Sequence, residues 1–350
     1  MASPTRTLPR RRVAPSPFSG IPRALADWLT RHGESVAGAL TVARITTGRM
    51  NISSSISDGE GREWILRERR PGTIRDFARE ATILRSAGRQ GLPLPRLVGD
   101  RHRDGDIPFI VTARATGRTL HVEDDAECLT PTQRRRIGFN VISTLAQLHQ
   151  IDPATVGLPR FVTSYIDRQL AAMTDLWMRS GSGSPHDSAW RALRARLVDC
   201  RPLREDRPTL VHGDFRMSNL VLHGGEVSAV IDWDCCTAGH PLADLAWLLV
   251  DWRSPGEPAA YPPSPTRAGE FPMRGELINA YGAATNRKLH DLPYYRAMAH
   301  WRAAALLQAE LNRQHADGLD DPTPRLDVGP IDDTIADLLV SASNFLRKPR

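Results

Sequence analysis

The stretch Leu210-Val211-His212-Gly213-Asp214-Phe215-Arg216-Met217-Ser218-Asn219, followed by Ala229-Val230-Ile231-Asp232-Trp233-Asp234, decides how the rest of the chain is read. Asp214 can orient an attacking hydroxyl and accept its proton. Asn219, five residues on, offers a neutral oxygen to a magnesium ion, and Asp232 offers a charged one. Hard cations prefer such oxygen ligands. Leu220 to His223 and Val227 to Ile231 read as two short apolar strands, with Gly224-Gly225 as the turn between them. That hairpin carries Asp232 back beside Asn219, so both can touch one ion pair. The bland alternative is that Asp214 is a turn or cap residue, as an Asp ahead of a turn often is.

The order Asp, then Asn five residues later, then a metal-binding Asp is the one protein kinases use for phosphoryl transfer. Together with Gly239-His240-Pro241-Leu242-Ala243-Asp244-Leu245-Ala246, the string resembles the aminoglycoside phosphotransferase family of kinase-like enzymes. Its nearest branch is the phosphotransferase domain fused to some acyl-CoA dehydrogenases. The resemblance runs over about residues 22–312, with its specific motifs between Leu210 and Leu249. It implies an α+β, two-lobe, protein-kinase-like fold: a small N-terminal lobe built on an antiparallel sheet and a larger, mostly helical C-terminal lobe. The expected divisions are a basic tail over 1–20, a nucleotide-binding lobe over 21–116 and a catalytic and acceptor-binding lobe over 117–350. The implied cofactors are ATP and Mg2+, with Asp214 as the catalytic base and Asn219 and Asp232 as metal ligands.

Upstream, Leu40 to Ile45 and Ile52 to Ile56 read as strands around Thr47-Gly48-Arg49-Met50-Asn51. In the resembled family this loop lies over the nucleotide phosphates, which makes Gly48 and Asn51 cofactor-binding candidates. An ordinary hairpin loop is the alternative. Glu63 to Glu68 reads as a third strand, with Trp64 and Leu66 on one face and Ile65 and Arg67 on the other. Arg67 stands where kinases carry the cation that grips the phosphates. Its fixed charge and planar fork suit a bidentate grip. The alternative is a surface arginine in an Arg-rich stretch. Ile74 to Gly88 has helical periodicity, and Glu80 on it matches the acid that pairs with that cation; a solvated helical Glu is the alternative. Phe109 to Arg114 resembles the hinge that meets the adenine edge through backbone groups, at Thr112, Ala113 and Arg114.

The remainder reads as helical, with Thr130 as a capping candidate ahead of Pro131. Asp244 resembles a residue that supports the catalytic loop by hydrogen bonds. Two positions depart from the branch: Ser218 before Asn219, and His240 where Asp is usual. His240 either faces the acceptor site or is a loop histidine of no consequence.

Composition limits the other classes. Apolar content is 41% and charged content 25%, ordinary for a globular protein. No apolar run approaches the ~20 residues that span a bilayer, so no membrane partner is expected. The opening segment lacks the apolar run of a secretory signal; basic and free of acids over 1–20, it reads as a disordered basic tail, with a transit peptide as the alternative. Cys128, Cys200, Cys235 and Cys236 form no recognisable disulfide framework, which favours a reducing, cytoplasmic setting.

The net charge of +6 is uneven. Residues 1–120 hold 21 Arg against 11 acids, or +10, leaving −4 for the rest. This bias suits attraction of a polyanionic nucleotide. With no recognised motif beside it, nucleic acid is not an expected partner.

The reading is therefore an ATP-dependent phosphotransferase acting on a hydroxyl of a small molecule: a hydroxyacyl compound, a sugar, an amino alcohol or an aminoglycoside-like compound. The alternative is a nucleotide-binding regulator without turnover.

Overall fold

A computed structural model describes residues 22–45, 51–69, 77–101, 108–159, 161–203, 207–258, 263–316 and 328–347. The expected basic tail and the Gly48 loop lie outside the described residues. The chain divides into two compact units. The first takes the described residues up to Arg85 together with Pro95–Arg114; the second takes Ser86–Leu94 and everything from Ala115.

The first unit is organised by apolar alternation. Helix α1 (Pro22–Arg31) precedes strands β1 (Thr41–Ile45), β2 (Asn51–Ser57) and β3 (Glu63–Arg69). Helix α2 (Ala78–Gly88) begins in this unit, and β4 (Leu97–Arg101) and β5 (Phe109–Ala113) complete the sheet. The strand order is β1-β2-β3-β5-β4, and every pairing is antiparallel. Trp64 and Leu66 of β3 join Ile56, Phe109 and Val111 on one face, where Leu25, Trp28 and Leu29 of α1 cover them. Those helix residues lie three and four apart, on one helical stripe. Alternation then turns Arg67 to the opposite face. Because Trp64 and Leu66 alternate with Ile65 and Arg67 along β3, the apolar core face is separate from the face that carries Arg67.

The second unit is mainly helical: α3 (Glu123–Glu127), α4 (Pro131–Leu148), α5 (Tyr165–Ser180), α6 (Asp187–Asp199), α7 (Leu242–Asp251), α8 (Arg274–Thr285), α9 (Leu292–Ala316) and α10 (Val328–Phe345). Thr130 caps α4 as expected: its hydroxyl accepts from the Gln133 N–H, and the Gln133 side chain returns the bond. Two small strand pairs interrupt the helices. β6 (Thr209–Val211) pairs antiparallel with β9 (Thr237–Gly239), and β7 (Leu220–His223) with β8 (Glu226–Val230). Gly224 and Gly225 turn the latter hairpin with φ of 58° and 86°, the left-handed conformation that a two-residue turn demands.

Among the helices Trp177, Trp190 and Trp301 stack with centroids 4.6 Å and 4.4 Å apart, all fully buried. The indoles of Trp190 and Trp301 each donate to the other's backbone carbonyl at 3.2 Å. This leaves no buried indole N–H unsatisfied there and locks α6 to α9. Among the described residues, no helix is long and apolar enough to cross a membrane.

Candidate active site

The segment from His212 to Asn219 leaves β6 and is held at both ends. Phe215 and Met217 are fully buried and anchor its middle. Gly213 adopts φ +81°, and a Cβ there would meet the Cys235 carbonyl oxygen at 2.5 Å, so only glycine fits. Leu220 pairs with Val230 across the β7–β8 hairpin, and the Ile231 N–H donates to the Asn219 carbonyl at 3.0 Å. That bond sets Asp232 next to Asn219, as the sequence suggests. Asp232 itself has φ +65°, uncommon for a residue other than glycine and best tolerated by Asp and Asn.

Asp214 is half-buried, and both its carboxylate oxygens are oriented. Asn219 Nδ2 donates to Oδ2 at 2.8 Å and to the Asp214 carbonyl at 2.9 Å. Trp247 Nε1 donates to Oδ1 at 2.8 Å. With its amide nitrogen committed to Asp214, Asn219 has its oxygen to offer a cation. Among the described residues no group of three His, Cys, Asp or Glu side chains could hold a metal. An Asn oxygen and a carboxylate are nonetheless a fitting donor set for magnesium, which keeps several waters and takes further oxygens from phosphates.

A buried network holds the backbone of this segment. Asp244, 1% exposed, accepts from the N–H groups of His212 and Gly213 at 2.7 Å and 2.8 Å. His149 Nε2 lies 3.4 Å from the same carboxylate, and His149 Nδ1 accepts from the Tyr281 hydroxyl at 2.7 Å. Burial holds the His149 imidazole below its ordinary value, so it is neutral and donates through Nε2. Burial alone would raise the Asp244 carboxyl; the bonds from His149 and the Gly213 N–H outweigh it and keep the carboxyl below the usual range. Asp244 thus supports the loop as expected. His212 completes the clamp, its Nε2 donating to the Ile231 carbonyl at 3.0 Å while Nδ1 accepts from the Asp214 N–H at 3.2 Å.

His240 is buried, its Nδ1 accepting from the Leu242 N–H at 3.2 Å, and its ring stacks on Tyr295 at 4.3 Å. The imidazole thereby supplies an acceptor at the start of α7, as a side-chain carboxylate at that position could.

In the first unit, Arg67 forms an ion pair with Glu80 through Nη1 and Oε1, the two side chains 16% and 6% exposed. Phe77 lies under both Arg67 and Arg69, with centroids 5.6 Å and 4.0 Å from the guanidinium carbons. The pair is thus neither a surface arginine nor a solvated helical Glu. Asn51 opens β2, is 5% exposed, and its Oδ1 accepts from Arg69 Nη1 at 2.7 Å. At the end of β5, Thr112 sits opposite Ile65 and Leu97. The N–H groups of Ala113 and Arg114 donate to the carbonyls of Arg96 and Glu63 at 2.8 Å and 3.0 Å. The Arg114 side chain meets Ser55 and Glu63.

Sequence reasoning missed Trp247, His149 and Arg302. Trp247 follows Asp244 by three residues on α7, so the two share a helical face, and that spacing was the available signal. Arg302, on α9, stacks over the Trp247 ring at 4.3 Å and donates from Nη2 to the Gly213 carbonyl at 2.8 Å. Eighty-nine residues separate Arg302 from Gly213, and no local pattern marks such a contact.

Comparison with known proteins identifies the family. The profile of the phosphotransferase enzyme family, APH, matches residues 41–277. Acyl-CoA dehydrogenase family member 11 of Rattus norvegicus is 28% identical over 311 residues, covering 83% of this chain and 39% of that protein. Acyl-CoA dehydrogenase family member 10 of Mus musculus is 27% identical over 329 residues, covering 88% of this chain and 29% of that protein. The chain therefore spans less than half the length of these relatives.

Among solved structures, a Ralstonia eutropha protein whose assignment as an aminoglycoside phosphotransferase is provisional aligns with a TM-score of 0.75 at 22% identity, over 92% of this chain and 97% of its own. A thermostable mutant of aminoglycoside phosphotransferase APH(4)-Ia, in ternary complex with ADP and hygromycin B, aligns with a TM-score of 0.62 at 17% identity, over 94% and 98%. The fold is the two-lobe kinase-like one. With its family profile spanning β1 to α8, the chain belongs to the phosphotransferase enzyme family.

Proposed function

We propose that the chain transfers the γ-phosphoryl group of ATP to a hydroxyl of a small molecule. The observation that carries this reading is the orientation of the Asp214 carboxylate by Asn219 and Trp247, beside an Asp232 tied to Asn219 through the hairpin. A protein that only bound nucleotide would have no use for a carboxylate fixed in this way.

Asp214 positions the acceptor hydroxyl and takes its proton as the oxygen attacks the γ-phosphorus and the bond to the β-phosphate oxygen breaks. Asn219 and Asp232 would hold magnesium, which when bound neutralises charge on the β- and γ-phosphates. Arg67, braced by Glu80 and Phe77, contributes a permanent cation for the phosphates. The His149–Asp244–His212 network keeps the loop fixed, so the reacting groups need little reorganisation at the moment of transfer. A cytoplasmic setting belongs to the same proposal and is consistent with the free thiols of Cys128, Cys200, Cys235 and Cys236.

The test is ADP release from ATP and magnesium across a panel of hydroxyl compounds, with wild type and Asp214→Asn assayed in parallel. The variant should lose about 10²–10⁴-fold in kcat while binding ATP as before. ATP binding without turnover by wild type on every compound would favour the regulator instead.

A further inference from the structure

The second unit holds a polar cleft of about 330 Å³, the size of a site for a small metabolite. Three segments far apart in sequence border it. His149 and Asp152 come from the end of α4 and the turn that follows, Arg207 and Thr209 from the entry to β6, and Ala284 and Arg287 from the end of α8. Asn286 closes α8 in the left-handed conformation, φ 50°, and so brings Arg287 round to the cleft. Asp214, Asn219, Asp232 and Trp247 are not among the lining residues, so the cleft is distinct from the site described above.

The charges on the lining select for an anion. Arg207 and Arg287 set two fixed positive charges against the one carboxylate of Asp152. Arg207 is exposed and donates from Nη2 to Asp152 Oδ2 at 2.6 Å, and a guanidinium has further N–H groups for a second acceptor. The carbonyl ends of α4 and α8 border the cleft, but their charge is partial and screened, and a bidentate arginine contact outweighs it. Buried His149 and Thr209 form the floor, and both lead to the catalytic loop. His149 bonds Asp244, which accepts from the His212 and Gly213 N–H groups. Thr209 opens the strand that runs directly into His212.

We propose that this cleft is a second ligand site, that it takes a small carboxylate or phosphate anion on Arg207 and Arg287, and that its occupant steadies the catalytic loop through His149 and Asp244. An anion held by both arginines ties the end of α8 to the entry of β6. The first carries Tyr281, whose hydroxyl bonds His149 at 2.7 Å, and the second ends at His212. Restraining the two together restrains the network between them and slows local opening of the loop. Binding in the cleft does not depend on the phosphotransferase reading.

The experiment uses the full chain with saturating ADP and magnesium, so that the nucleotide's own phosphate positions are filled. Tricarballylate and inorganic phosphate are the probes, one for each source of negative charge, and succinamide is the neutral control. The thermal unfolding midpoint should rise with one or both probes, half of the effect being reached at or below about 1 mM, and should not rise with succinamide. Arg287→Gln should raise that concentration about tenfold. Ala284→Glu, at the exposed end of α8, should abolish the response by setting a second carboxylate in the cleft, with circular dichroism confirming the fold. With a probe bound, hydrogen exchange at the His212 and Gly213 amides should slow about threefold. No response up to about 10 mM, an equal response to succinamide, or an equal response in folded Ala284→Glu would overturn the site. Unchanged exchange at the two amides with a probe bound would overturn its link to the loop.

Discussion

The Trp247 indole donates to Oδ1 of Asp214 at 2.8 Å while the Arg302 guanidinium stacks on its ring at 4.3 Å. One side chain therefore orients the base and carries a neighbouring cation. Trp247→Phe keeps most of the ring and removes the N–H. A hydrogen bond to a charged group contributes about 1.5–3 kcal/mol, so kcat should fall about 10- to 100-fold with little change in the KM for ATP. Steady-state kinetics with ATP varied at saturating acceptor checks this. Unchanged kcat would remove the indole from the mechanism.

Asp232→Asn removes the charge but keeps the shape, and Asn tolerates φ +65° as Asp does. Turnover should vanish while the thermal unfolding midpoint moves little. Substantial activity in a folded Asp232→Asn protein is incompatible with the metal role proposed here.

Arg67→Ala should weaken ATP binding and also destabilise the first unit, because Glu80 would be left buried without its cation. Arg67→Lys should recover part of both, since a point charge replaces some of the planar fork. Calorimetry of ATP–magnesium binding alongside urea unfolding separates the two effects. Wild-type affinity in both variants would leave Arg67 with a structural role only.

The buried pair of His149 and Asp244 sets a pH dependence of stability. Both groups lie below their ordinary values in the folded chain. On acidification the unfolded chain takes up the proton on His149 first, from about pH 6.5; Asp244 follows below the ordinary carboxylate range. Stability is therefore present at neutral pH and lost as pH falls, because the unfolded state binds more protons. The urea midpoint should drop between about pH 7.5 and about pH 5.5. In His149→Gln that slope should flatten, even if the variant is less stable throughout. An equal slope in both proteins would assign the dependence to other groups.

Local relations were legible in the sequence. Gly224-Gly225 announced a turn, and the apolar runs beside it announced the strands; the hairpin then follows from backbone geometry alone. The neighbouring positions of Asn219 and Asp232 follow in turn, as does the separation of Trp64 and Leu66 from Arg67 on β3. The pairing of Arg67 with Glu80 needed the resemblance to a known family, because spacing alone left a surface pair open.

Tertiary structure decided the rest. Arg302 reaches Gly213 across 89 positions and His149 reaches Asp244 across 95, on helices whose packing no local pattern specifies. The hold of Trp247 on Asp214 and of Arg302 on Trp247 depends on which faces of α7 and α9 meet, and only the packed helices determine that. By itself, the sequence determined the order of the reacting groups and the turns that join them, because those depend on residues a few positions apart. How the base is oriented, and what it is offered, depends on side chains brought together by packing.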